Sequence, residues 1–430
     1  MPYVRFLNAV AKARRPSPIR QLTELLQKSP PTMISMATGM PNAEQFPFHE
    51  ASFTLKDGNK VHISPSEMKN CLQYQATPGL PELRSWLKTM QKTIHNPPTW
   101  DLSGRPEQMD LMITTGSQHG MATVCDMLVT HGDKVLTANP LYSGTIAIMK
   151  PLGAKFIDIK TDAHGIIPEH LSEVMSAWPD KEQPHHSDSV NIPKLLYCVP
   201  NGDNPTGAGL TYERKAKIYA IARRYNLLIL EDDPYYFLQF NKPRGRSFLS
   251  MDVDGRVLRF DSFSKMLSAG IRVGFVTGPK ALLEKVNYNL QASVLHTSAV
   301  SQMIVYKLLE HWGLEEFLRH TEEVSDFYQG RKDVLLAAAN EHLQGLAEWH
   351  EPSGGMFFWL KLLGIKDSHD LIMNKAREKE VLFVPGSAFT AHKDEKSQYV
   401  RACYSLATDE QMFEGMRRLA ELIKEHQGKL

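Results

Sequence analysis

Cysteine is scarce in this chain, four residues in 430, and Cys71, Cys125, Cys198 and Cys403 stand too far apart to make a C-x-x-C pair. That excludes a disulfide framework and a thiol-based zinc site, and it suits free thiols in a reducing compartment. Charge of one sign is also lacking. Forty-nine Lys and Arg stand against 48 Asp and Glu, a formal net charge of +1, so nucleic acid is not the expected ligand. No apolar run approaches the roughly 18 residues of a membrane span. The 17 histidines include no H-E-x-x-H spacing, and His185 and His186 fall in the polar run 179–189, which reads as a surface loop. No metal is expected. What remains is 42% hydrophobic and 23% charged, an ordinary globular balance over a length that suggests two or three domains.

The N-terminus departs from that balance. Arg5, Lys12, Arg14, Arg15 and Arg20 all precede the first acid, Glu24, and Phe6, Leu7 and Val10 can share a helical face. The composition fits a mitochondrial presequence, and equally a basic amphipathic arm packed on the protein. The corresponding expectation is the mitochondrial matrix, with the cytosol as alternative.

The rest of the chain is organised around residues 261–274. Lys265 follows a strand-like run at 257–260, lies between Ser262 and Ser264 on one side and Arg272 on the other, and is succeeded by Gly274. A lysine attacks a carbonyl only as the neutral amine, and an unperturbed pKa near 10.4 leaves roughly one molecule in 2,500 neutral at pH 7. A neighbouring cation and partial burial lower that pKa. The hydroxyls, backbone N–H groups and Arg272 make a cradle for a phosphate. A lysine beside a phosphate cradle points to pyridoxal phosphate, although a solvated loop lysine and a surface-paired arginine would look the same in isolation.

Other segments supply what such a cofactor needs. Met33 to Asn42 reads as a strand ending in a turn at Gly39 and Pro41, where backbone can approach a ligand. Tyr74 precedes a Pro78-Gly79 turn and a helix opening at Pro81 and Glu82. From residue 109 strands and helices alternate. The run 109–114 turns into a helix at Gly116-Ser117-Gln118, an anion-binding end at which Ser117 and Gln118 face outward. Strands follow at 134–137 and 155–159, with Tyr142 between them able to cover a flat ring. The apolar strands 194–199 and 227–230, separated by a helix over 212–224, indicate a parallel sheet covered on both faces. Ligands collect beyond the carboxyl ends of such strands, where Asn204, Asp232, Tyr235 and Lys265 all stand. A carboxyl that keeps a pyridine nitrogen protonated makes the ring an electron sink; Asp232 is the candidate, with Glu231 and Asp233 as surface alternatives. Beyond residue 280 long helices, clearest over 326–340, and short strands at 354–360, 381–384 and 399–404 describe an α+β domain. Arg401 lies inside the last strand, either in a buried salt bridge or as a clamp for a substrate carboxylate.

The ordered set Tyr74, Gly79-x-Pro81-Glu82-Leu83-Arg84, Asn204-Pro205-Thr206-Gly207, Asp232-x-Pro234-Tyr235, Ser262-x-Ser264-Lys265, Arg272-x-Gly274 and Arg401 resembles the fold-type I, class I pyridoxal-phosphate aminotransferases from about residue 17 to 425. The resemblance implies an α/β fold with a mostly parallel sheet covered by helices. It also implies a large cofactor-binding domain at 46–324 and a smaller α+β domain at 325–430 with 17–45, preceded by an arm at 1–16. Lys265 would bond the cofactor through an imine and shuttle the proton, and Asp232 would hold the ring nitrogen. Asn204 and Tyr235 would hold the ring oxygen and Tyr142 would stack on the ring. Ser117, Gln118, Ser262 and Arg272 would bind the phosphate, with Tyr74 from the second subunit of a homodimer whose sites are shared across the interface. Arg401 would take the α-carboxylate, Tyr74 and Asn204 would also border the substrate, and Gly39 and Arg20 would close over its side chain.

The stretches 17–20, 200–207, 231–240 and 248–257 resemble the branch of this family that moves the amino group of L-kynurenine and L-2-aminoadipate to 2-oxoglutarate. The alternatives are other aromatic or aliphatic amino acids as donors, β-elimination on cysteine conjugates, and a pyridoxal-binding regulatory module, for which the arm is too short. Two positions depart from the pattern: Thr38 stands where glycine is expected and Asn139 where an acid is expected. Both bear on substrate side-chain preference. A presequence cut after Arg20 would remove that residue from the site.

Overall fold

Strand direction follows from what joins the strands, and two kinds of connection divide this protein. The computed structural model describes residues 3–27, 29–30, 32–34, 36–37, 39–179, 192–392 and 395–428. They form two units, Met1–Thr130 with Leu249–Arg319, and His131–Phe248 with His320–Leu430.

In the first unit Val257–Ser262 and Gly274–Pro279 are joined by a turn and a short 3-10 segment, too little for a crossover, and so pair antiparallel. Met109–Thr114 pairs antiparallel on the other edge of Gly274–Pro279. Gly274 thus lies opposite both Ser262 and Thr114. A Cβ on it would stand 2.7 Å from Asp261 O and 2.7 Å from Ser117 N, backbone atoms that cannot yield. The helix Pro81–His95 begins on a proline, buries the stripe Leu83, Leu87 and Met90, and ends at Asn96 in the left-handed conformation.

In the second unit the strands Lys134–Ala138, Lys155–Ile159, Leu195–Cys198 and Leu228–Asp232 are parallel, joined through helices such as Tyr212–Arg224. Every residue of the last two strands is buried, as expected of a sheet covered on both faces. A smaller antiparallel sheet holds Ala347–Trp349, Phe357–Leu362, Tyr399–Cys403 and Val384–Pro385 in that order. The helix Asp409–His426 starts on a capping box of Thr408 and Gln411. The helix expected over 326–340 is part of Ala299–His342, which breaks at Gly313 with φ +67°.

Several expectations are corrected. The described residues of 33–42 form no strand, and Met33, Ile34 and Met36 are exposed: apolar residues make a strand only where a sheet edge receives them. At 381–384 only Val384 joins the sheet, because Glu380 takes a positive φ of 54° and turns the chain ahead of it. The basic arm is packed. Phe6, Leu7 and Ala11 are buried and the Tyr3 hydroxyl donates to Gly255 O, but the helix starts only at Ala9, so Val10 faces outward. Thr38, His185 and His186 lie outside the described residues. Among the described residues no cluster of His, Cys, Asp and Glu could hold a metal ion, and no helix is long and apolar enough to cross a membrane.

The strand leading to Lys265 rests on a buried ion pair. Arg259 is fully buried and bonds both oxygens of Asp261 at 2.8–3.1 Å, and Gln91 Nε2 donates to the same carboxylate at 3.1 Å. Removing one partner of such a pair strands a charge in the interior. Asp261→Asn is therefore expected to cost about 3–5 kcal/mol in urea unfolding; a loss below about 1 kcal/mol would mean that the Arg259 guanidinium reaches water.

Candidate active site

The first unit gathers an anion cradle. Ser264 N donates to Ser262 Oγ at 3.1 Å, and the N–H groups of Met266, Leu267 and Ser268 all donate to Phe263 O, which folds the Lys265 turn onto a buried phenylalanine. Arg272 sits in the left-handed conformation, φ 54°. Its Nη1 donates to Ser264 Oγ at 3.1 Å and Ala269 O at 3.2 Å, and its Nη2 to Thr115 O at 3.3 Å. Gly116, φ +79°, caps the helix Ser117–Leu128, and a Cβ there would fall 2.3 Å from Arg272 Nη2. Glycine is thus required both by conformation and by space. Ser117, Ser262, Ser264, Lys265 and Arg272 are brought together at the N-terminal, positive dipole end of that helix. His119 supports the turn: burial holds its pKa down, and Nδ1 accepts from Thr115 N at 3.2 Å. Gln118 follows Ser117 in the first turn. A guanidinium, hydroxyls and helix N–H groups in this arrangement fit a phosphate.

Three other expected residues of this unit stand differently. Tyr74 is half-exposed on an irregular run, its ring edge-on to His296. Gly39 is in open space, with nothing within 4 Å of where a Cβ would be. Arg20 lies in the helix Pro18–Gln27, but its side chain is outside the described residues.

The second unit gathers the ring and carboxylate partners. Asp232 ends its strand almost fully buried, and Oδ2 accepts from the Tyr197 hydroxyl at 2.8 Å. Burial first, then the Asp232 charge, pushes the Tyr197 hydroxyl far above its usual range, so it remains a donor. Glu231 and Asp233, expected at the surface, are buried as well. Glu231 accepts from Phe248 N at 2.7 Å and Asp233 from Asn201 Nδ2 at 2.8 Å. Both are committed to holding loops.

Tyr142, Asn204, Tyr235 and Arg401 share the remaining space. The Tyr142 hydroxyl is raised by burial and then Asp232, against an opposing pull from Arg401. Tyr235 is raised by burial, then Tyr142 and Asp232. Arg401 Nη1 donates to Asn204 Oδ1 at 2.9 Å, and its guanidinium carbon lies 4.4 Å from the centre of Phe357 and 5.1 Å from that of Phe389. Its Nε is buried with no hydrogen-bond partner, burial lowers its pKa, and among the described residues no carboxylate lies within ion-pair distance. The buried salt bridge, one of two readings of Arg401, is absent. A desolvated guanidinium with unused N–H groups fits an incoming carboxylate.

Tyr197, Phe357 and Phe389 escaped sequence reasoning. A signal for Tyr197 was available, since a tyrosine in the middle of a fully buried strand needs a partner for its hydroxyl, and Leu230, its register partner, is two residues from Asp232.

Comparison with known proteins gives the family. The family model for aminotransferase class I and II matches residues 33–419. The chain is 49% identical over 425 residues to a protein of Bos taurus named kynurenine/alpha-aminoadipate aminotransferase, mitochondrial, covering 99% of this chain and 100% of that one. Among solved structures, aminotransferase Aro8 from Candida albicans superposes with a TM-score of 0.86 at 27% identity, covering 100% and 99% of the two chains. A Pyrococcus horikoshii kynurenine aminotransferase, solved with PMP, KYN as substrates and KYA as products, gives 0.76 at 29% identity over 99% and 98%. The chain belongs to the class I and II aminotransferase family.

Proposed function

We propose that this protein is a ping-pong aminotransferase that uses pyridoxal 5′-phosphate to move the amino group of L-kynurenine and L-2-aminoadipate to 2-oxoglutarate. The products are kynurenate, formed by ring closure of the keto acid, with 2-oxoadipate and glutamate. The observation that carries the reading is Arg401: a half-buried guanidinium without an acid partner, its Nε buried and unbonded and its plane walled by two phenyl rings, takes an α-carboxylate attached to an apolar or aromatic body. The name and full-length identity of the bovine relative support the choice of donors.

Bound at the site, the cofactor supplies a carbonyl that condenses with amines and a ring that accepts the electrons left when the α-proton departs. The residues do the rest. Lys265 carries that proton away from the donor's α-carbon as a general base. Arg272, Ser262, Ser117 and Gln118 hold the phosphate, and Asp232, fixed by Tyr197, faces the ring nitrogen. Asn204 has Oδ1 committed to Arg401, so Nδ2 is the atom left to donate to the ring oxygen beside Tyr235. Tyr142 covers the ring, and Gly39 and Arg20 close over the donor's side chain. The compartment proposed is the mitochondrial matrix, from the basic arm and the name of the bovine relative.

Tyr74 is proposed to act from a second copy of the chain, completing a phosphate site in a homodimer, and to border the substrate there with Asn204. The exposed Ile19, Leu22 and Leu25 on one helix, with Met33, Ile34 and Met36 beyond it, favour an assembly that covers them.

The purified protein is expected to show a visible or near-ultraviolet absorbance band that either donor converts to the pyridoxamine form, and Lys265→Ala is expected to lose the lysine-bound band. A protein that cannot be reconstituted with pyridoxal phosphate would remove the catalytic reading. Arg401→Gln should raise KM for both donors by about 10–100-fold, the loss of a charged hydrogen bond of about 1.5–3 kcal/mol. Light scattering should give twice 48.6 kDa, and Tyr74→Phe should weaken cofactor binding by about tenfold; a monomer of full activity would rule out the shared site.

A further inference from the structure

Two side chains of the second unit converge on one carboxylate oxygen of a third. Asn139 Nδ2 donates to Asp158 Oδ2 at 2.8 Å, and His392 Nε2 lies 2.9 Å from the same atom. Asn139 is the position at which the sequence pattern leads one to expect an acid. A carboxylate there would oppose Asp158 instead of bonding it. One backbone bond and two side-chain bonds run alongside: Leu141 N donates to Phe389 O at 2.8 Å, Lys150 Nζ to Ala391 O at 3.0 Å, and Thr161 Oγ1 to Asn139 O at 3.1 Å. The Leu141 bond, with the bridge through Asp158 to His392, ties the segment 139–142, which carries Tyr142, to 386–392, which carries Phe389.

Both segments border Arg401. Phe389 lies against its guanidinium and edge-on to Trp359, and the Tyr142 hydroxyl lies in the joint field of Asp232 and Arg401. Behind them is a groove of about 680 Å³, lined by Asn139, Pro140, Phe389 and Thr390 among others. Phe389 itself is buried, while Asn139, Pro140 and Thr390 beside it are only half-buried, so directional bonds add to packing in fixing this segment.

We propose that Asn139, Asp158 and His392 form a latch that places the Phe389 and Tyr142 wall and so sets the apparent affinity for the amino acid donor. The inference rests on the reading of Arg401 as the carboxylate clamp. The three are positioning residues, acting through Phe389 and Tyr142. His392 contributes through Nε2–H, the tautomer that a carboxylate acceptor at 2.9 Å selects. The other charged groups of the latch are Lys150, on Ala391 O, and Glu395, which accepts from the Thr390 hydroxyl. Asp158 and His392 are both partly exposed, so the latch affects placement more than global stability.

The test is an exchange of the two partners in the holoenzyme: N139D, D158N and the double swap N139D/D158N, which again sets an amide against a carboxylate. Steady-state kinetics with 2-aminoadipate and 2-oxoglutarate should show KM for the donor raised about 5–10-fold in each single variant, about one hydrogen bond, with kcat within about twofold. In the swap, KM should return to within about twofold of wild type. Hydrogen exchange at the Leu141 amide, which needs no substrate, should quicken by a similar factor in the singles and recover in the swap. Singles with wild-type KM and wild-type exchange, or a swap no better than either single, would overturn the latch. Restored exchange in a protein that turns over neither donor would uphold the latch and sink the substrate assignment.

Discussion

Withdrawing even part of a guanidinium from water without a carboxylate to neutralise it is costly, and half-buried Arg401 carries that cost in the second unit. Desolvation lowers its pKa, and the compensation for lost water is partial: an amide oxygen from Asn204 and the faces of Phe357 and Phe389. Nε is left with nothing. A structural arginine would be expected to find an acid, and this unit has acids close in sequence to its other site residues. They are used elsewhere: Glu231 and Asp233 hold loops, and Asp232 faces Tyr197. The unmet capacity of Arg401 is what supports its proposed role of receiving a ligand that brings its own negative charge.

The first unit solves the opposite problem. It brings together a helix end and a guanidinium, and it packs them so closely that two positions admit no side chain. At Gly116 the excluded atom would strike Arg272, and at Gly274 it would strike the backbone of Asp261 and Ser117. The Lys265 turn is stitched to the same cradle through Ser262 and Ser264. Anion binding and amine placement are consequently one piece of architecture, anchored below by the Arg259 and Asp261 pair.

Much of this was legible in the residues, and the exceptions have a common cause. Strand ends succeeded by turn-forming residue types pointed to Asn204 and Asp232, because a chain leaving a buried parallel strand emerges at the sheet's carboxyl edge. Arg401 was legible as a conflict between charge and an apolar strand. Partners were not legible: nothing in the sequence near Tyr197 says that it meets Asp232, because the contact is set by strand register, and Phe389 reaches Arg401 only through the fold of the small sheet. Antiparallel pairing in the first unit was missed because strand spacing alone does not give direction. The strand expected over 33–42 failed because apolar pattern cannot tell a buried edge from an exposed run.

The packed arm bears on the same helix that opens the anion cradle. Asn8 donates through its backbone to Met127 O and through Nδ2 to Asp126 O and Val129 O, at the closing turn of Ser117–Leu128. That helix therefore has its carbonyl end satisfied by the arm, while its amide end carries the proposed phosphate site. A protease cutting after Arg20 would leave those carbonyls to water and unload one end of a strut whose other end is proposed to support the cofactor, so removal of the arm and cofactor retention would be read out on a single helix.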